Sequence, residues 1–88
     1  MAWTIEWSDS ALKNLRALDR QQARRLRDFL RDRIAPAQDP RHLGDPLTGP
    51  LSGFWRYRVG SYRLLCRIED DRLLVLVVDI GHRREVYR

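Results

Sequence analysis

An α+β fold is predicted: one small domain with an N-terminal strand and an α-helical hairpin packed on an antiparallel β-sheet, in the order β-α-α-β-β-β. Three observations predict it. Apolar residues recur at helical spacing between Ala11 and Ile34. From Leu51 onward the apolar period is two. All four prolines fall between these halves, at residues 36–50. A chain of 88 residues is short for more than one core, so residues 1–88 read as a single domain. Its 43% hydrophobic residues come in periodic runs, as a folding chain requires.

Each element has a local cause. Trp3-Thr4-Ile5-Glu6-Trp7 alternates large apolar with polar side chains, the period of a half-buried strand. Ser8 reads as an N-cap, and Asp9 suits the positive end of the helix that follows. Ala11, Leu12, Leu15 and Leu18 continue it at helical spacing. Asp19 and Gln22 form a D-x-x-Q capping box and start a second helix. The apolar stripe of this helix is Ala23, Leu26, Phe29, Leu30 and Ile34, and Pro36 stops it. The opposite face carries Arg20, Arg24, Arg27, Arg31 and Arg33, a solvated face whose sign steers the chain towards large polyanions. Residues 36–50 read as one long loop, with His42 in it and without partners.

Residues 54–59 read as a strand with Trp55, Tyr57 and Val59 on one face and Phe54, Arg56 and Arg58 on the other. Gly60-Ser61 is a two-residue turn signal. Residues 62–68 return with Tyr62, Leu64, Cys66 and Ile68 on one face and Arg63, Leu65 and Arg67 on the other. Residues 69–72 turn again. Residues 73–80 are almost wholly apolar, which predicts a central strand covered on both faces, broken by Gly81. Val86-Tyr87 is expected to form a last short pairing.

Charge narrows the partners. Seventeen Lys and Arg against twelve Asp and Glu leave a formal charge of +5. That balance favours nucleic acid, an acidic protein or an anionic membrane. No apolar run approaches the roughly 20 residues that span a bilayer. Met1-Ala2-Trp3-Thr4-Ile5-Glu6 has neither a charged nor an apolar signal region, so no signal peptide is expected. The lone Cys66 has no partner for an internal disulfide and reads as core. Together these point to a reducing, cytoplasmic setting. No His/Cys cluster has metal-ligand spacing, so neither a metal nor another cofactor is expected.

The two-residue turn sets a register. Val59 faces Tyr62, Arg58 faces Arg63, Tyr57 faces Leu64 and Arg56 faces Leu65. Like charges directly opposed on a sheet cost up to about 1 kcal/mol. The acidic residues Glu69, Asp70 and Asp71 lie at the far end of the hairpin, so an anion is expected to relieve the repulsion. The planar fork of guanidinium suits phosphate, which it grips through two oxygens at once. The residues after the central strand are expected at the end of the same sheet. Histidine is the side-chain type suited to proton transfer near neutrality, which makes His82 a candidate acid or base, and Tyr87 can stack on a base or position a phosphate. RNA is the polyanion this patch fits best.

Three runs then resemble the RelE toxins of the RelE/ParE superfamily. They are Leu43-Gly44-Asp45-Pro46-Leu47, the hairpin from Leu51 to Leu65 with its G-S-Y-R turn, and the ending Ile80-Gly81-His82-Arg83-Arg84-Glu85-Val86-Tyr87. The N-terminal strand and helical hairpin fit as well, so the resemblance covers nearly the whole chain. It implies a toxin of a type II toxin–antitoxin pair that cuts mRNA in the ribosomal A site. The cut needs no metal: the ribose 2′-hydroxyl attacks the adjacent phosphate, leaving a 2′,3′-cyclic phosphate and a free 5′-hydroxyl. By position, Arg56 and Arg58 match two basic strand residues, often lysine in the family, and Arg63 matches the arginine of the Y-R pair. Arg83 matches the arginine after the last long strand, Tyr87 the C-terminal tyrosine that stacks on a base. His82 falls at a basic position and near a histidine that related toxins use as acid or base. Arginine does not lose its proton as lysine can, so Arg56 and Arg58 are better clamps than bases.

The resemblance also implies partners: the ribosome and mRNA, and an acidic, RelB-like antitoxin that masks the basic surface in a toxin–antitoxin hetero-oligomer. The outer groove of the helical hairpin and the sheet edge are its candidate docking sites. Two other readings compete with the endoribonuclease. One is a ParE-like toxin that inhibits DNA gyrase through protein contacts, and the other is a non-catalytic basic RNA-binding module.

Overall fold

The computed structural model describes residues 2–82, so the expected pairing of Val86-Tyr87 lies outside the described residues. Strand β1, Thr4–Trp7, keeps the predicted alternation, with Thr4 and Glu6 exposed and Ile5 and Trp7 partly buried. Helix α1, Asp9–Ala17, begins as its capping signal says, with the Ser8 hydroxyl accepting from the Ala11 N–H at 3.0 Å. Helix α2, Arg20–Phe29, follows a two-residue connection, and the Asp19 carboxylate accepts from the Gln22 N–H at 2.9 Å. The helical run does not stop at Phe29. One π turn, Leu30–Ile34, continues it, with the Ala35 N–H donating to the Leu30 carbonyl at 2.8 Å. The widened turn keeps both Leu30 and Ile34 in the core before Pro36 ends the helix.

The second half supplies the sheet. Strand β2 is two residues, Asp45–Pro46, and strand β3 is Trp55–Val59. Strand β4, Tyr62–Glu69, and strand β5, Leu74–His82, complete it in the spatial order β1-β5-β4-β3-β2. Strand β5 is internal, between β1 and β4, as its apolar run predicts, but the helices cover one of its faces and not both as expected. The hairpin register is also the predicted one, from Val59↔Tyr62 to Arg56↔Leu65.

Three further expectations need correction. The sheet is mixed rather than antiparallel throughout, because β1 pairs with β5 in parallel, from Thr4↔Leu74 to Trp7↔Val77. Alternation marks a strand but carries no sign of its partner's direction. Gly81 does not break β5. Flanked by β4, it sits opposite Arg63 inside the ladder and is buried. The stretch 36–50 is not featureless: it holds short 3₁₀ turns at Pro40–Leu43 and Gly49–Leu51, with β2 between them.

Both helices cover one sheet face. Ala11, Leu15, Ala23, Leu26, Leu30 and Ile34 meet Tyr57, Val59, Leu64, Cys66, Val75, Val77 and Ile80 in one cluster. The pairing of β4 with β5 shifts between Leu65 and Cys66, where Leu65 faces Asp79 but Cys66 faces Val77. Val78 is the extra residue of a β-bulge. Ser8 fastens α1 to it: its backbone N–H donates to the Val77 carbonyl at 2.9 Å and its hydroxyl donates to the Val78 carbonyl at 2.7 Å. Ser8→Ala removes the cap and the hydroxyl's link to Val78, and leaves the backbone link to Val77. The variant is expected to lose about 1–2 kcal/mol of stability, read in urea unfolding as a lower midpoint at unchanged slope.

Candidate nucleic-acid interface

On the sheet face away from the helices, β3 and β4 present their arginines. Arg58 and Arg63 stand directly opposite, as predicted, and Arg56 lies two residues along β3 on the same face, opposite Leu65. Arg58 is exposed, whereas Arg56 and Arg63 are partly buried. Arg67 continues the row, with its guanidinium 5.8 Å from the centre of the Phe54 ring. Opposite Arg63 on β5 lies Gly81, so no β5 side chain occupies the position beside it. Leu65, on this face, is 6% exposed, flanked in register by Arg56 and Asp79.

One carboxylate on this face escaped the sequence reading. Asp45 of β2 lies opposite Arg56, and its Oδ2 is 3.3 Å from an Arg56 terminal nitrogen. The Arg56 side chain is 20% exposed, and its Nε is buried without a hydrogen-bond partner among the described residues. Arg56 is therefore held in place by Asp45 and incompletely satisfied by it. The signal was present in Asp45-Pro46, but a two-residue strand has no period to detect.

His82 lies where the chain order predicts, at the end of the sheet, but the bulge turns it to the other face. Without Val78 the odd-numbered residues of β5 would face the helices all along the strand. After the bulge Ile80 and His82 do so instead. His82 pairs with Tyr62, and the two rings meet edge-on with centres 5.4 Å apart. They line a cleft of about 190 Å³ with Asn14, Leu18, Ile80 and Gly81. Asp79, opposite Leu65 in the ladder, is tied to α1: its Oδ1 accepts from Asn14 Nδ2 at 2.6 Å and from the Ile80 N–H at 2.9 Å. Neither Asn14 nor Asp79 was legible as part of this end of the sheet. Arg83 and Tyr87 lie outside the described residues.

The proline-rich segment is fastened to β3 and to the β4–β5 turn. Arg41 grips both carboxylate oxygens of Asp70 at 2.9 and 2.6 Å, and its guanidinium lies 6.0 Å from the Trp55 ring centre. That hydrogen bonding holds the Asp70 carboxyl below its ordinary range. His42 has a partner after all, with Nε2 3.6 Å from Asp39 Oδ2. The buried Tyr57 hydroxyl donates to the Pro40 carbonyl at 2.7 Å. Gly44 leaves room for the Tyr57 ring, since a Cβ there would come within 2.8 Å of it. The five arginines named on the outer face of α2 and its extension are all exposed. Among the described residues no three His, Cys, Asp or Glu side chains gather as metal ligands would. No described helix is long and apolar enough to cross a membrane.

A helical hairpin on one face of a mixed five-stranded sheet matches the fold of small RelE-type toxins. The family model for the ParE toxin of type II toxin–antitoxin systems matches residues 5–87. The chain belongs to this family, within the RelE/ParE superfamily of toxins. It is 30% identical to Toxin RelG of Mycobacterium tuberculosis over 88 residues, covering 100% of this chain and 99% of the relative. The toxin–antitoxin complex RelBE2 of the same organism contains a chain that superposes with a TM-score of 0.86 at 28% identity, over 94% of this chain and 100% of that one. A chain of the intact Escherichia coli RelBE complex shares the fold, with a TM-score of 0.68 at 20% identity over 99% and 100% of the two chains.

Burial makes a prediction about alkaline pH. Loss of solvation pushes the Cys66 thiol well above its ordinary value of 9.0, and likewise the Tyr57 hydroxyl above 10.0. Above about pH 9 the unfolded chain releases the thiol proton while the folded chain keeps it, so stability falls as pH rises. Urea unfolding from about pH 8 to 11 is expected to show that fall. Cys66→Ala should delay its onset towards pH 10, where Tyr57 takes over.

Proposed function

We propose that this toxin is a ribosome-dependent mRNA endonuclease that cuts in the A site by metal-independent attack of a ribose 2′-hydroxyl on the adjacent phosphate. The observation that carries the reading is the opposition of Arg58 and Arg63 on the uncovered sheet face, with Arg56 beside them. Three guanidiniums on one rigid hairpin form a fork for a single phosphate, and their repulsion falls when an anion binds. They also match the charge that builds on the phosphoryl oxygens as the 2′-oxygen attacks.

Asp45 sets the aim of Arg56 in this reading. Arg58, exposed and without an ion pair among the described residues, makes the first contact with the substrate. The 2′-oxygen forms the new bond to phosphorus as the bond to the 5′-oxygen breaks, and a proton must reach that leaving oxygen. Arg83 and Tyr87 are assigned to the leaving-group and base-stacking side, by the resemblance of the C-terminal run. His82 packs against Tyr62 on the helix face, so its part is to support that end of the sheet rather than to carry the proton. An acidic antitoxin is the proposed partner, in a hetero-oligomer that masks the cationic face. The Mycobacterium tuberculosis and Escherichia coli relatives were each seen as toxin–antitoxin complexes.

The match to the ParE family model favours a second reading, inhibition of DNA gyrase through protein contacts without RNA cleavage. Mapping mRNA 5′ ends on translating ribosomes separates the two. Codon-phased cuts carrying 5′-hydroxyls are expected. Intact mRNA together with trapped gyrase would sink the endonuclease. Arg58→Ala and Arg63→Ala should each lower the single-turnover cutting rate by about 10²- to 10³-fold. His82→Ala should cost less than about tenfold across pH 5–8, since a positioned acid or base contributes at least 10²-fold.

A further inference from the structure

The β3–β4 turn lies beside α2, and the space between them is lined by three arginines and two aspartates among its residues. A cleft of about 420 Å³ is bounded by Arg25, Arg33, Asp28 and Asp32 from the helical segment and by Arg58 and Gly60 from the hairpin. Both aspartates are engaged elsewhere: Asp32 takes both its hydrogen bonds from Arg31, at 2.8 and 3.0 Å, and Asp28 lies 3.2 Å from the same guanidinium. Arg25, Arg33 and Arg58 make no ion pair among the described residues. Arg25 reaches over the turn because Gly60, at φ +59°, has no Cβ there; an added one would come within 2.7 Å of its guanidinium. The glycine thus makes the turn and seats the arginine.

We propose that Arg25, Arg33 and Arg58 form a second phosphate-binding site, which takes RNA backbone around the β3–β4 turn and onto the α2 flank. The site rests on the proposed function for the identity of its ligand. Three arginines without an ion pair among the described residues border this one cleft, its two aspartates being held by Arg31, and a phosphodiester's oxygens can accept from their N–H groups. Arg58 belongs to both sites, since its strand carries it on the open face and its position next to the turn borders the cleft. The cationic surface is therefore continuous, and a polymer of regularly spaced phosphates fits it better than one isolated anion. An acidic protein segment is the other ligand class that could seek this charge, and the test includes it.

The probe is a fluorescent 2′-O-methyl oligoribonucleotide, which has no 2′-hydroxyl and is not cut. Its affinity for the full chain is followed by anisotropy from about 50 to 200 mM salt, where each phosphate contact on a single strand contributes about 0.7 to the log–log slope. Arg25→Ser with Arg33→Ser should shallow the slope by about 1.4, for two contacts. Arg25→Lys with Arg33→Lys should restore most of it. Arg20→Ser, on α2 outside the cleft, should leave it unchanged, and unfolding midpoints confirm that all variants fold. A wild-type slope in the serine double variant overturns the site. So does a variant that keeps RNA binding but loses a poly-glutamate probe, because the cleft would then be a protein dock. The endonuclease reading fails separately: altered slopes with no cutting on ribosomes sink the catalysis and keep the site, and cutting with unaltered slopes does the reverse.

Discussion

One extra residue in β5, Val78, sets the phase of every side chain beyond it. Before the bulge Val75 and Val77 face the helices, and after it Ile80 and His82 do. A slip of one residue in a ladder of period two sends a side chain to the opposite face. Ser8 holds the bulge through the two carbonyls at its centre while capping α1, so the helix layer and the strand phase are fastened by one residue. Asn14, further along α1, donates to Asp79 just beyond the bulge. The arrangement leaves Gly81 rather than a larger side chain beside Arg63.

The two sheet faces consequently have opposite chemistry. One is closed by apolar residues of α1, α2 and the π turn. The other keeps a row of arginines that the fold does not neutralise in full. Asp45 partly compensates Arg56, while Arg58 has no ion pair among the described residues. Like charges opposed on a sheet cost stability. The fold can carry that cost because the helix-side cluster, including the fully buried Tyr57, Leu64 and Val77, does not depend on the charged face.

The proline-rich segment connects the charged face to the core. Tyr57 reaches through the sheet's helix side to the Pro40 carbonyl, and Arg41 spans from the 3₁₀ turn to Asp70 at the β4–β5 turn. These links bring Asp45 alongside β3, where it meets Arg56. A segment of short 3₁₀ turns and a two-residue strand thereby supplies a carboxylate to Arg56.

Both helix starts, the β3–β4 register and the opposition of Arg58 to Arg63 were legible in the sequence, because they depend on neighbours within a few residues. Ser8 and Asp19 cap from their own turns, and Gly60-Ser61 sets which residues of a two-residue hairpin meet. The resemblance of the hairpin and the C-terminal run also named the superfamily. The parallel direction of β1, the two-residue β2, the Asp45–Arg56 pair and the face occupied by His82 were decided only by tertiary structure. Each depends on contacts between residues far apart in the chain: β1 with β5, Asp45 with Arg56, and Ser8 with the bulge at Val78. Periodicity records which way a side chain points along its own strand. It does not record an extra residue that shifts the phase part-way along that strand, and this insertion placed His82 on the helix face.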